Sequence, residues 1–135
     1  MLNKIDWSYW AGFFDGEGCI SVGHNGGSHW ALRITLSCCN KEVIDKFHNL
    51  FRGSVYDQQY YKNQHRNCYR ARLSGLNAIS FLKGIYSYSI VKKDEVAEAL
   101  KFPVGKSGCS VSKKDMKLRY NIKQKLHDLK KVGVI

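Results

Sequence analysis

The sequence predicts an α+β domain built on a four-stranded antiparallel sheet with its helices on one face. Two pairs of segments alternate apolar and polar residues, each pair joined by a turn-forming stretch. Segments with helical apolar spacing stand before, between and after those pairs. A single proline and no repeat or low-complexity tract leave no linker along 135 residues, about the size of one domain.

Asp6 suits the N-cap of a first helix over Trp7–Asp15, with Gly16 and Gly18 ending it. Cys19–His24 then alternates, Ile20 and Val22 on one face, and Asn25-Gly26-Gly27-Ser28 supplies a hairpin turn. His29–Ser37 resumes the alternation, with Leu32, Ile34 and Leu36 inward. Asn40 caps a second helix through Val43, Ile44, Phe47, Leu50 and Phe51. Beyond Gly53, the strands Ser54–Tyr61 and Asn67–Ser74 are joined around Lys62-Asn63-Gln64. Ala78, Ile79, Phe81, Leu82 and Ile85 mark a third helix, and Lys93–Phe102 a fourth that Pro103 stops. A Gly105-Lys106-Ser107-Gly108 loop leads to a basic helix over Ser112–Lys131. Residues 1–104 form the core on this reading, and 105–135 a basic loop and helix of the same domain.

Lys plus Arg number 22 against 11 Asp plus Glu, a net charge of +11. Residues 105–135 alone carry +7, so the excess is concentrated in a basic tail of the kind that meets a polyanion, most commonly nucleic acid. A cationic surface with no specific partner is the alternative. No apolar run approaches the ~18–20 residues of a membrane helix, and the N-terminus lacks the apolar stretch of a secretion signal. An intracellular protein without a membrane partner is expected. Five cysteines (Cys19, Cys38, Cys39, Cys68, Cys109) without CxxC spacing read as reduced thiols, a discontinuous Cys/His zinc set being the alternative.

Ser21, Asn25, His29, Arg33, Thr35, Tyr56, Gln58, Tyr60, Arg70 and Arg72 share the outward parity of the strands. Such side chains match the groups that read base edges and phosphates in a major groove, although an ordinary polar outer face has the same pattern. In Trp10-Ala11-Gly12-Phe13-Phe14-Asp15-Gly16-Glu17-Gly18, the glycines 12 and 16 share a helical face that another helix could approach closely. Glu17 follows a glycine beyond the helix, where a carboxylate suits a hard divalent cation with retained waters. From the residues alone, a core helix with glycine stops and two solvated acids is the simpler reading.

That segment resembles the LAGLIDADG motif of homing endonucleases, with Trp10 for the first Leu and Glu17 for the second Asp. The resemblance runs through roughly residues 6–103: Gly53-Ser54-Val55-Tyr56 looks like the start of the family's third strand, and Tyr86–Lys93 like its stretch after the sheet. It implies an α-ββ-α-ββ-α saddle laid along the DNA major groove, and a long, roughly palindromic duplex target. One motif per chain implies a homodimer, with Trp10, Gly12, Phe13 and Gly16 at the helix contact. The resemblance makes Glu17 the catalytic metal ligand with the Gly16 carbonyl beside it, Mg2+ (or Mn2+) the cofactor, and Lys92 the peripheral catalytic lysine. It implies hydrolysis of both strands across the minor groove, leaving short 3′ overhangs. Asp15 is expected to tie off the helix end. Lys106, Lys113, Lys114, Lys117 and Arg119 of the basic tail are expected on phosphates.

Two positions depart from the family pattern. Cys38 stands where a water-organising Gln is common, and Glu42 where some members carry Arg, with Lys41 beside it. These departures keep a second expectation open, a non-catalytic nucleic-acid binder such as an intron-RNA maturase or a DNA-binding regulator.

Overall fold

The computed structural model describes residues 4–24, 30–58, 68–104 and 112–132. Along the chain run α1 (Trp7–Glu17), β1 (Gly18–His24), β2 (Trp30–Cys38), α2 (Lys41–Phe51), β3 (Ser54–Gln58) and β4 (Cys68–Ser74). Then come α3 (Gly75–Ile85), α4 (Lys93–Ala99) and α5 (Lys113–Val132). The four strands make one antiparallel sheet in the order β1-β2-β4-β3, so the protein is α+β as the alternation implies.

Period-two patterning sets the inner face: Ile20 and Val22 of β1, Leu32, Ile34 and Leu36 of β2, and Ala71 and Leu73 of β4 are all buried. Against them pack Phe14 of α1, Ile44 and Phe47 of α2, Phe81, Leu82 and Ile85 of α3, and Val96 of α4. An aromatic nest joins the first three helices, with Phe47, Phe51 and Phe81 at centroid spacings of 4.9 to 5.2 Å and Phe14 of α1 at 5.4 Å from Phe81. Ile122 and Leu126 bring α5 into the same core.

Several boundaries shift. Asp6 caps α1 as expected, its carboxylate accepting the Tyr9 N–H at 3.2 Å. The helix runs on to Glu17, however, because Gly16 does not take a positive φ, and the chain passes straight into β1 at an extended Gly18. Glu17 is therefore the last helical residue rather than one outside the helix. Gly18 admits no larger residue, since a Cβ there would strike the Phe14 ring. Gly75 (φ 57°) starts α3 three residues before Ala78. The helix expected through Phe102 ends at Ala99 and continues as tight turns, the Phe102 N–H donating to Ala99. Arg52 and Gly53 (φ 67° and 81°) turn α2 into β3.

Candidate nucleic-acid interface

The sheet's second face is built by the ladder register. Ser21 stands opposite Arg33, which stands opposite Ser74. Cys19, Thr35, Arg72 and Ser54 form the next row, and Ser37, Arg70 and Tyr56 the one after. Three arginines thus sit on adjacent strands of one polar surface. Arg70 is braced there, its Nε donating to the Ser37 hydroxyl at 3.3 Å. The Arg33 guanidinium lies across β1 where Gly23 has no side chain, 3.5 Å from where a Cβ would be. Tyr56 and Gln58 belong to this face by backbone register. Asn25, His29, Tyr60 and Lys106 lie outside the described residues. Lys113 and Lys114 are exposed in the first turn of α5.

At one end of this surface α1 meets β1. Glu17 is exposed there, and among the described residues no side chain bonds or pairs with its carboxylate. Asp15 is fully engaged: its carboxylate accepts the N–H groups of Ile90 at 2.8 Å and of Val91 and Lys92 at 3.2 Å. Its backbone carbonyl takes the Lys92 ammonium at 2.7 Å. Asp15 therefore fastens the 90–92 segment to the end of α1 and holds Lys92 beside Glu17's turn. The sequence reading of Asp15 as a tie at the helix end understates this reach across 75 residues.

The last carbonyls of a helix lack intrahelical partners and carry the negative end of its dipole. Glu17 and the Gly16 carbonyl together offer hard oxygen donors at that end. Mg2+ keeps several waters and is held through one or two carboxylates plus phosphate oxygens, and this donor set fits it. No group of three or more His, Cys, Asp or Glu side chains gathers among the described residues.

The glycines of α1 divide by what surrounds them. A Cβ on Gly12 or Gly16 would meet nothing within 4 Å. Gly12, Gly16 and Tyr9 are exposed and Phe13 is half-buried, so this is the open side of the helix. Trp10 is not on it: only 4% exposed, it packs edge-on against Phe47 and Phe51 in its own core, and that burial removes it from a helix contact with a second copy.

Arg119 corrects the expectation for the basic tail. It is 9% exposed and donates to the Trp30 carbonyl at 2.9 Å and the Pro103 carbonyl at 2.8 Å. Its guanidinium also lies over the Phe102 ring. Two backbone carbonyls and an aromatic face claim this cation, so it clamps α5 to the body and leaves phosphate to others. Cys38 is half-buried, its thiol accepting the Asn40 N–H at 3.4 Å beside the α2 cap. Lys41 and Glu42 are exposed at the start of α2, where a carboxylate complements the helix dipole. The thiols of Cys39 and Cys68 lie 3.9 Å apart.

Comparison with protein families matches residues 5–86 to the family described as LAGLIDADG-like domain. Among curated proteins nothing matches. Among solved structures, the archaeal intron-encoded homing endonuclease I-Vdi141I, complexed with DNA, superposes with a TM-score of 0.72 at 18% identity. That match covers 91% of this chain and 82% of the other. The homing endonuclease I-CvuI, in complex with its target in the presence of Ca, gives 0.57 at 12% identity over 92% of this chain and 94% of that one. The LAGLIDADG meganuclease I-AabMI bound to uncleaved DNA gives 0.53 at 16% identity, over 70% of this chain and 34% of that one. At these identities the likeness establishes the fold.

Proposed function

We propose that this chain, which belongs to the LAGLIDADG-like domain family, is a site-specific endonuclease that hydrolyses both strands of a long, near-palindromic duplex as a homodimer with Mg2+ or Mn2+. The observation that carries the reading is the pairing at the end of α1. An exposed carboxylate, Glu17, has no partner of its own among the described residues, while Lys92 is pinned to the same helix end by Asp15. Both stand beside a sheet face carrying Arg33, Arg70 and Arg72.

The homodimer is supported by Gly12 and Gly16. Glycine inside a helix costs about 1 kcal/mol against alanine. Among the described residues a Cβ at either glycine meets nothing within 4 Å, whereas Gly18 and Gly84 are required by the Phe14 and Trp7 rings. Close approach of a second α1 across that open side gives the glycines their reason and brings two Glu17 carboxylates together about a two-fold axis.

In the proposed reaction the arginine face and the exposed lysines position the duplex, and phosphate contacts fix its register. Glu17 and the Gly16 carbonyl would hold the ion, which would supply Lewis acidity and a bound water of lowered pKa. Lys92, kept close by Asp15, sets a positive charge beside the charge that develops on the phosphate oxygens in the transition state. With water as nucleophile, no covalent enzyme intermediate forms.

The test is cleavage of a randomised duplex library with Mg2+ and, in parallel, with EDTA. Recovery of one preferred, roughly symmetric cut site that depends on Mg2+ is expected. Tight duplex binding with no cut under either condition would replace the nuclease with a DNA-binding regulator, and preference for intron RNA with a maturase.

A further inference from the structure

β1 is an outer strand of the sheet, and α5 lies along its free edge. Lys130 closes that edge by donating to the Ile20 carbonyl, and its ammonium is 3.7 Å from the Cys19 thiol. On the same flank of α5, one and two turns back, stand His127, Gln124 and Lys123. Together with Ser21, Val22 and Leu126 they line an open cleft of about 280 Å³.

The chemistry of the cleft is one-sided. Its walls bring two ammonium groups, an imidazole, a carboxamide and a hydroxyl, and no carboxylate among the described residues. The cations are held in place by their own protomer, Lys130 on the Ile20 carbonyl and Lys123 at 4.7 Å over the Trp30 ring. An ammonium has three hydrogens, so each retains donors for a further acceptor. Held side chains lose less rotamer freedom on binding than free surface lysines do. Ser21 belongs also to the outer sheet face, opposite Arg33, so the cleft continues that face at its rim.

We propose that this cleft, centred on Lys123, His127 and Lys130, is an anion site that grips a backbone phosphate of the duplex where it leaves the sheet. A phosphodiester offers acceptor oxygens and negative charge, the complement of this donor-rich wall. The site rests on the endonuclease reading for its ligand. It positions the DNA without reading sequence.

The experiment measures duplex affinity as a function of salt by fluorescence anisotropy, for the wild-type protein and the K123Q/H127Q variant. The exposed Lys125→Gln serves as a charge-matched control, and the single H127Q variant changes only an exposed side chain. One phosphate contact contributes about 0.9 to the slope of log K against log salt. The double variant is expected to bind every duplex several-fold more weakly, with a slope shallower by about that amount, and H127Q to weaken binding in the same direction. K125Q should leave the slope unchanged. Equal slopes for wild type and double variant overturn the site, as does an equal loss in K125Q, which would mark a diffuse field. Inorganic phosphate that shifts the His127 NMR signal when duplex does not would assign the cleft to a free anion and overturn the backbone contact. A wild-type protein that binds no duplex would instead remove the endonuclease reading itself, and this site with it.

Discussion

Asp15 and Glu17 stand two residues apart on α1, and their partners separate their roles. Three backbone N–H groups and, through its carbonyl, one ammonium converge on Asp15, while Glu17 faces solvent. Removing the Asp15 carboxylate hands the exposed donors of the 90–92 segment to water, at a cost of about 0.5–1.5 kcal/mol. Asp15→Ala should therefore lower the urea midpoint. Under the proposed function it should also slow cutting with little change in duplex affinity, because Lys92 loses its seat. Asp15→Asn, which keeps an acceptor oxygen, should recover part of both. Asp6 provides the pH-sensitive counterpart at the other end of the helix. The Ser8 hydroxyl, and after it the Tyr9 N–H, hold its carboxyl below the ordinary value. A depressed folded pKa gives stability that is present above the unfolded value and fades as pH falls through the folded one. An acid titration of thermal stability should show that loss in the wild type and a flatter profile in Asp6→Ala.

The elements show which signals travel locally along the chain. Inner residues of β1, β2 and β4 were legible because period two needs no knowledge of neighbours, and the same parity gave the outward Ser21, Arg33, Thr35, Arg70 and Arg72. Gly16 and Gly18 read as helix stops in the sequence, whereas α1 runs through Gly16 to Glu17 and the chain turns at Gly18 without a positive φ. Trp10 and Arg119 were misplaced for a tertiary reason. An aromatic on α1 and a cation on α5 look available until Phe47 and Phe51, or the carbonyls of Trp30 and Pro103, arrive from elsewhere in the chain. The glycine face of α1 yields a sharp expectation. A Cβ at Gly12 meets nothing within 4 Å among the described residues and a leucine there gains helix propensity, so in Gly12→Leu the thermal stability of the fold should hold or rise. Sedimentation velocity should meanwhile show the proposed dimer dissociating; an unchanged dimer would place the contact on another surface.

Across the whole molecule the arginines of the sheet and the lysines of α5 present positive charge in a chain of net charge +11. Each phosphate neutralised by such a surface releases counterions, so duplex affinity should fall steeply between 50 and 200 mM salt, with a log–log slope of roughly −0.9 per phosphate contact. A nearly flat salt dependence would contradict a phosphate-dominated interface. The family and fold were within reach of the sequence because the α1 motif and the strand order lie in the chain itself. What holds Lys92 at the site was not, since that geometry depends on Asp15 reaching residues 75 to 77 positions away.

The central claim is that the Glu17 carboxylate holds the divalent ion that cuts DNA. Its most direct measurement compares wild type and Glu17→Gln on the recovered target, with cleavage followed in Mg2+ and binding followed without it. The account predicts wild-type affinity for the duplex and a cleavage rate lower by at least about 10²-fold, the scale of losing one major transition-state stabiliser. Cutting at the wild-type rate by Glu17→Gln would contradict it.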